Sequence, residues 1–303
     1  MGGTTVKLGL FDIDGRVLDK WEIPTRTEND GVNILPDIAV SIQDKMSEKA
    51  ITKEEVAGVG VGAPGPVDGK GIIHKAVNLG WAEMNLKEVL SKLLADMKVE
   101  GGNDANVAAL GEMWKGGGQG YSNLVAVTLG TGVGGGIIVD GKILTGYNGS
   151  GGEIGHIHVE DNETEPCGCG NHGCLEEYAS ATGITRLANR KLQSSDKDSV
   201  LRQGEVSAKT VFDAVKAGDE LAIEIAQQFG EYLGKGLAVI AGVVNPEIFV
   251  IGGGVSKAGD VLFDYIRPVF FFFFFHGCKD TKFALATLGN DAGIYGAAKL
   301  VLG

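Results

Sequence analysis

Gly130-Thr131-Gly132-Val133-Gly134-Gly135-Gly136-Ile137-Ile138-Val139-Asp140-Gly141-Lys142-Ile143-Leu144 is the stretch whose reading decides the fold. It contains the spacing G-x-G-x-x-G, which in a dinucleotide-binding fold stands between a strand and a helix. Here an apolar run and an Asp-Gly pair follow instead, the pattern of a strand entering a tight hairpin. The stretch therefore reads as a glycine turn between two strands, and no Walker A pattern occurs anywhere in the chain. Backbone N–H groups and a threonine hydroxyl exposed in such a turn can bind phosphate oxygens. Taken alone, it could equally be a tight hairpin with bulges.

Sliding the sequence by 126 positions lays Thr5 on Thr131, Gly9 on Gly135, Asp14-Gly15 on Asp140-Gly141 and Leu18 on Leu144. Five of the fourteen positions from 5 to 18 are identical, and Arg16/Lys142 and Val17/Ile143 are conservative. Both copies read as a glycine-threonine turn, a strand, an Asp-Gly turn and a returning strand, so the repeat points to two related domains. Two turns, Gly3-Thr4-Thr5 and Gly130-Thr131-Gly132, suggest two grips on one polyphosphate. In the second copy a strand at 124–129 leads into the turn. Its counterpart in the first copy would lie before Met1, so the chain is expected to begin in the middle of a structural unit.

The surrounding sequence alternates strands and helices. Ile34, Ile38, Ile42 and Met46 mark one face of a helix over 32–48. A strand over 56–61 runs into the turn Gly62-Ala63-Pro64-Gly65-Pro66-Val67-Asp68-Gly69. Helices are predicted near 86–97, at 105–114 behind a cap at Asp104, and at 175–191, 207–217 and 219–243. A strand at 247–251 ends in Gly252-Gly253-Gly254, where a flat nucleoside could lie against bare backbone; helix-start geometry explains those glycines equally well. A helix near 258–267, a strand at 282–288 and a helix at 291–302 complete an α/β pattern with largely parallel sheets.

Composition bounds the function. The chain has 303 residues, enough for two domains, with 44% hydrophobic and 22% charged residues. Its 49 glycines are about twice the usual share of roughly 7%, without a collagen period. A net charge of −12 disfavours nucleic acid or an anionic membrane as partner. No signal peptide is readable and no apolar run approaches the ~20 residues of a membrane span. Three of four cysteines fall within eight residues, unlike a secreted disulfide framework. The expectation is a cytoplasmic protein.

Those three sit in Cys167-Gly168-Cys169-Gly170-Asn171-His172-Gly173-Cys174, a loop able to turn tightly enough for several sulfurs to reach one zinc ion. A redox thiol cluster is the alternative. From spacing, the fourth ligand is open among His156, His158 and His172, and Cys278 stands apart.

The combination resembles the ROK family (repressors, open reading frames, kinases) of actin-like sugar kinases. The resemblance covers essentially the whole chain and is strongest toward bacterial glucokinases of that family. Its marks are Gly2-Gly3-Thr4-Thr5-Val6-Lys7, Gly62-Ala63-Pro64-Gly65-Pro66-Val67, Asn103-Asp104-Ala105-Asn106, the Gly130–Gly136 turn, Gly152-Glu153-Ile154-Gly155-His156 and the cysteine loop. It implies a duplicated actin-like, ribonuclease H-like ATPase fold of two α/β domains around a cleft. Residues 1–104 plus 291–303 would form the smaller domain and 105–290 the larger.

The same resemblance implies ATP-dependent phosphorylation of a hexose, most naturally glucose, with Mg²⁺ and Zn²⁺. ATP phosphates would be held by Gly3, Thr4, Thr5, Lys7, Gly130, Thr131 and Gly132, with Gly253 and Gly254 beside the adenosine. Asp104 would be the general base, since phosphoryl transfer needs positioned phosphates and a carboxylate for the sugar hydroxyl proton. Asn103, Asp104, Glu153, His156 and Glu176 would bind sugar hydroxyls, with Asn78-Leu79-Gly80-Trp81 nearby. For zinc it selects His156 with Cys167, Cys169 and Cys174. A homodimer or homotetramer is expected. Alternatives are a fructose or N-acetylmannosamine kinase, a sugar-sensing repressor (for which no helix-turn-helix segment is present), and a sugar-binding remnant.

Two departures stand out. Family members carry an aspartate two residues before the first Gly-Gly-Thr, at the end of a strand, and here Met1 occupies the place next to Gly2. Lower stability and activity are expected in consequence. Phe270 to Phe275 are six consecutive phenylalanines, which cannot all face a core, so some must be exposed.

Overall fold

The run Leu124–Leu129 (β7), buried at five of its six side chains, has the two-sided apolar character of a central parallel strand. In the computed structural model, which describes Met1–Gly303, it lies in a sheet of order β11-β10-β7-β8-β9. The partners are Lys282–Leu285 (β11), Ile248–Gly252 (β10), Val133–Val139 (β8) and Lys142–Ile143 (β9). β10 is parallel to both β7 and β11, whereas β8 and β9 form an antiparallel hairpin. Asp140 (φ 49°) and Gly141 (φ 75°) both turn left-handed at its tip, the geometry that makes Asp-Gly a hairpin pair.

The matching hairpin of the first copy is Thr5–Phe11 (β1) against Val17–Pro24 (β2). Its turn is longer: Asp12 Oδ1 accepts from the N–H groups of Asp14 (3.1 Å) and Arg16 (2.8 Å), and the register shifts at Leu10/Phe11. Val59–Ala63 (β3) pairs in parallel with Val99–Asn103 (β6), and Ile72–Ile73 (β4) antiparallel with Met84–Asn85 (β5). β1 and β3 do not pair with each other. In the five-stranded sheet, β7 lies between β8 and β10.

The helices are Ile34–Lys49 (α1), Leu86–Leu93 (α2), Asp104–Lys115 (α3), Glu176–Ala179 (α4), Ala181–Ser194 (α5), Ala208–Lys216 (α6), Glu220–Val244 (α7), Val261–Phe273 (α8) and Ala292–Leu302 (α9). The chain divides into two compact units. One comprises Met1–Ser122, Gly136–Gly152 and Leu288–Gly303; the other comprises Asn123–Gly135 and Glu153–Thr287. The division expected at 104/105 therefore falls elsewhere, because α3 packs along α9 and β3 and stays with the first unit. At that crossing there is no space for side chains: a Cβ on Gly111 would lie 2.1 Å from Ala292 O, and one on Gly296 would lie 1.6 Å from Val107 O.

The core of the first unit gathers Val6, Leu8, Ile34, Leu35, Ile38, Leu79, Trp81, Leu86 and Leu90. In the second unit α7 supplies Leu221, Ile225, Phe229, Leu233 and Leu237, all fully buried, and packs against α4, α5, α6 and α8.

Two local expectations are corrected. The single helix expected at 175–191 is two, since Ser180 turns extended (ψ 172°) and its hydroxyl caps α5 by accepting from Gly183 N–H at 2.9 Å. The helix expected near 258–267 begins at Val261 and runs through Pro268 to Phe273. β6 was not anticipated at all. In the phenylalanine run Phe270 is buried against Phe249 and Phe283, while Phe272 is 80% exposed.

Candidate active site

In the first unit, parallel pairing sets Ala63 beside Asn103, so the Gly62–Gly69 turn and the start of α3 leave the same ends of β3 and β6. Asn103, not Asp104, caps the helix. Its Oδ1 accepts from Ala105 N–H (3.0 Å) and Asn106 N–H (3.2 Å), and its Nδ2 donates to Gly65 O (3.1 Å). One amide thus ties the glycine-proline turn to the helix start and leaves Asp104 as the first helical residue.

Asp104 Oδ1 accepts from Ala105 N–H at 2.8 Å, and the carboxyl reaches the surface. Burial nonetheless raises its pKa above the ordinary aspartate value, against the opposing pulls of the Ala105 N–H and the Met1 ammonium. A carboxylate placed here holds a proton more readily than a free one, which suits a base that must accept a hydroxyl proton.

The first glycine turn closes through Gly2 N–H to Thr5 O at 3.0 Å and is held by Thr25, just past β2, whose hydroxyl donates to Gly2 O at 2.7 Å. Thr4 is exposed, while Lys7 is engaged with Glu22 at 3.6 Å on the hairpin. Gly3 abuts the backbone of Asn78. In the expected sugar-side segment Leu79 and Trp81 belong to the core, leaving Asn78 and Gly80 at the surface.

In the second unit, β7 and β10 run parallel with Gly252 opposite Thr128, so the turns Gly130–Gly132 and Gly252–Gly254 leave adjacent strand ends. The carboxyl ends of parallel strands are where α/β sheets bind ligands. Gly130 N–H donates to Gly132 O at 3.0 Å, and Ala181 N–H reaches Gly130 O at 2.8 Å. Thr131 is exposed at the tip. Gly253 backs directly onto Leu129, so the two turns adjoin.

His156, Cys167, Cys169 and Cys174 bring one imidazole nitrogen and three sulfurs within 4.8 Å of one another. Tetrahedral zinc with Zn–S near 2.3 Å requires sulfurs about 3.8 Å apart. Cys169 and Cys174 Sγ lie 3.7 Å apart and Cys167 Sγ lies 3.8 Å from His156 Nδ1, so the donor set fits the ion. All four cysteines are free of disulfides. Burial pushes the Cys167 and Cys174 thiols up. His158 instead pairs with Asp161 (2.9 Å) and with His172 O (2.9 Å), which removes it from the ligand set. Glu153 is exposed, next to the short helical turn that ends at His156.

Glu163 was not singled out from sequence. Its side chain is only 3% exposed, receives bonds from Arg186, Arg190 (3.0 Å) and the Tyr178 hydroxyl (2.6 Å), and joins the loop before Cys167 to α4 and α5. Arg190 above all, with help from Tyr178, holds its carboxyl far below the usual range. A Glu in a polar loop gives no sign of the arginines waiting 23 and 27 residues on.

The sequence profile of the ROK family matches residues 1–303. The chain belongs to the ROK family. Among ROK relatives, a glucokinase from Halalkalibacterium halodurans is 45% identical over 99% of this chain and 93% of its own length. A crystal structure of a ROK hexokinase from Thermus thermophilus matches at 30% identity and TM-score 0.82, covering 99% and 95% of the two chains. A ROK family glucokinase from Streptomyces griseus, solved with glucose and AMPPNP, matches at 34% identity and TM-score 0.74, covering 99% and 96%. The fold is accordingly the duplicated actin-like, ribonuclease H-like α/β fold of ROK sugar kinases. No helix is long and apolar enough to cross a membrane.

Proposed function

We propose that the chain phosphorylates glucose, taking the γ-phosphoryl group of magnesium-bound ATP and releasing glucose 6-phosphate and ADP. The supporting observation is the full-length, 45% identity to a glucokinase. Asp104 serves as general base. It accepts the proton of the 6-hydroxyl as that oxygen bonds to the γ-phosphorus and the bond from phosphorus to the bridging oxygen of ADP breaks.

Gly3, Thr4, Thr5 and Lys7 in one unit and Gly130, Thr131 and Gly132 in the other hold phosphates, with Gly253 and Gly254 against the adenosine. Asn103, Asp104, Glu153, His156 and Glu176 bind sugar hydroxyls. His156, Cys167, Cys169 and Cys174 hold zinc, which fixes their loop and neutralises the thiolates. Assembly as a homodimer or homotetramer belongs to the same proposal, and light scattering measures it.

Coupled ADP detection with a panel of glucose, fructose, N-acetylmannosamine and N-acetylgalactosamine tests the reaction; turnover with glucose as the preferred sugar is expected. Sugar binding without turnover, seen as calorimetric glucose binding with no ADP release, is the outcome that would overturn this reading.

A further inference from the structure

Glu176 stands between the metal loop and the second glycine turn and faces both. Its Oε2 accepts from Val133 N–H at 3.4 Å, just past Gly132, where an added Cβ would lie 2.5 Å from the same oxygen. Its Oε1 accepts from the Cys167 thiol at 3.0 Å and lies 3.6 Å from His156 Nδ1. Farther along, Ala181 N–H bonds to Gly130 O, so the segment from Glu176 to Ala181 holds the glycine turn at both ends.

The metal loop is joined to the same segment. Glu177 N–H donates to Cys174 O at 3.0 Å and Leu175 N–H to Ile157 O at 2.8 Å. An ion that fixes Cys167 Sγ and His156 Nδ1 would fix the two groups that Glu176 Oε1 touches, while Oε2 stays on Val133 N–H.

We propose that Glu176 is a positioning residue that couples metal occupancy at His156, Cys167, Cys169 and Cys174 to the order of the Gly130–Val133 turn. The proposal rests on the metal and nucleotide roles given above. It predicts that the metal acts on nucleotide binding through a residue that is not itself a ligand.

Hydrogen exchange at residues 130–134 tests this in protein loaded with zinc and in protein stripped by chelator, with zinc content measured alongside. In the parent, stripping should speed exchange there by about three- to ten-fold, the worth of a hydrogen bond or two. It should also weaken binding of a non-hydrolysable ATP analogue by a similar factor. In Glu176→Ala the exchange should already be fast and should no longer respond to zinc. Gly132→Ala, whose new methyl displaces the Glu176 carboxylate and leaves every metal ligand intact, should behave alike.

An equal zinc response in the parent and both variants overturns the proposal, as does a parent that takes up no zinc or does not respond to its loss. Failure of every form to bind the ATP analogue would contradict the kinase reading alone, because the exchange measurement needs no nucleotide.

Discussion

Replacing Gly296 with alanine puts a methyl carbon where the structure has 1.6 Å to Val107 O, 2.6 Å to Val107 C and 2.9 Å to Gly111 N. Carbon and carbonyl oxygen rest a little over 3 Å apart, so α9 must back away from α3 by more than 1 Å. That movement opens the contact of α9 with β3 and β6 as well. Overpacking of this kind costs about 1–3 kcal/mol, and a clash with rigid backbone belongs at the upper end. Against it stands the gain of about 1 kcal/mol for alanine over glycine within a helix.

The net is a loss of about 2 kcal/mol, a fall of about 4–8 °C in the melting of a unit this size. Gly293→Ala is the control: it lies in the same helix with nothing within 4 Å of its added methyl, and should be neutral or slightly stabilising. Differential scanning calorimetry of parent and both variants gives the comparison. A Gly296→Ala protein melting at or above the parent would refute the close α3–α9 crossing on which the placement of Asp104 depends.

Asp104→Asn should lower kcat by at least about 10²–10⁴. Because burial raises the Asp104 pKa, kcat of the parent should rise with pH along a limb lying above the ordinary aspartate range. The asparagine variant should lose that limb, as steady-state pH profiles would reveal. The purified chain should contain one zinc per molecule by elemental analysis, and Cys174→Ser should reduce that content and lower the melting temperature. Glu163 has a depressed pKa, so its stabilisation is complete above its unfolded value near 4.3 and is lost as pH falls toward the folded one. Glu163→Gln should cost about 2–3 kcal/mol near neutral pH, discounted for the partly exposed Arg190, and should flatten the acid limb of the stability curve in urea titrations.

The two hairpins and their repeat were legible because Asp-Gly between apolar runs specifies a local geometry that tertiary packing has no need to alter. The Cys/His cluster was legible in part: glycine spacing brought the three sulfurs together and the family resemblance added His156, while the pairing of His158 with Asp161 emerges only in the fold. β6, Val-Glu-Gly-Gly-Asn, offers one apolar side chain and no alternation, so it reads as a loop. Its strand character comes from pairing with β3, an interaction between residues forty apart. The break at Ser180 was hidden for a related reason. A serine is tolerated within a helix, and its capping of α5 is decided by where Ala181 must meet Gly130. Asp and Asn are comparable caps, so sequence could not rank Asn103 over Asp104; the Gly65 carbonyl on the asparagine amide decides between them.

The central claim is transfer of the γ-phosphoryl group of ATP to the 6-oxygen of glucose. Phosphorus NMR of the chain with glucose, ATP and magnesium observes that transfer directly. The account predicts growth of the glucose 6-phosphate ester signal in step with ADP, abolished in Asp104→Asn. Unchanged ATP beside bound glucose, or release of inorganic phosphate with no sugar ester, would contradict it.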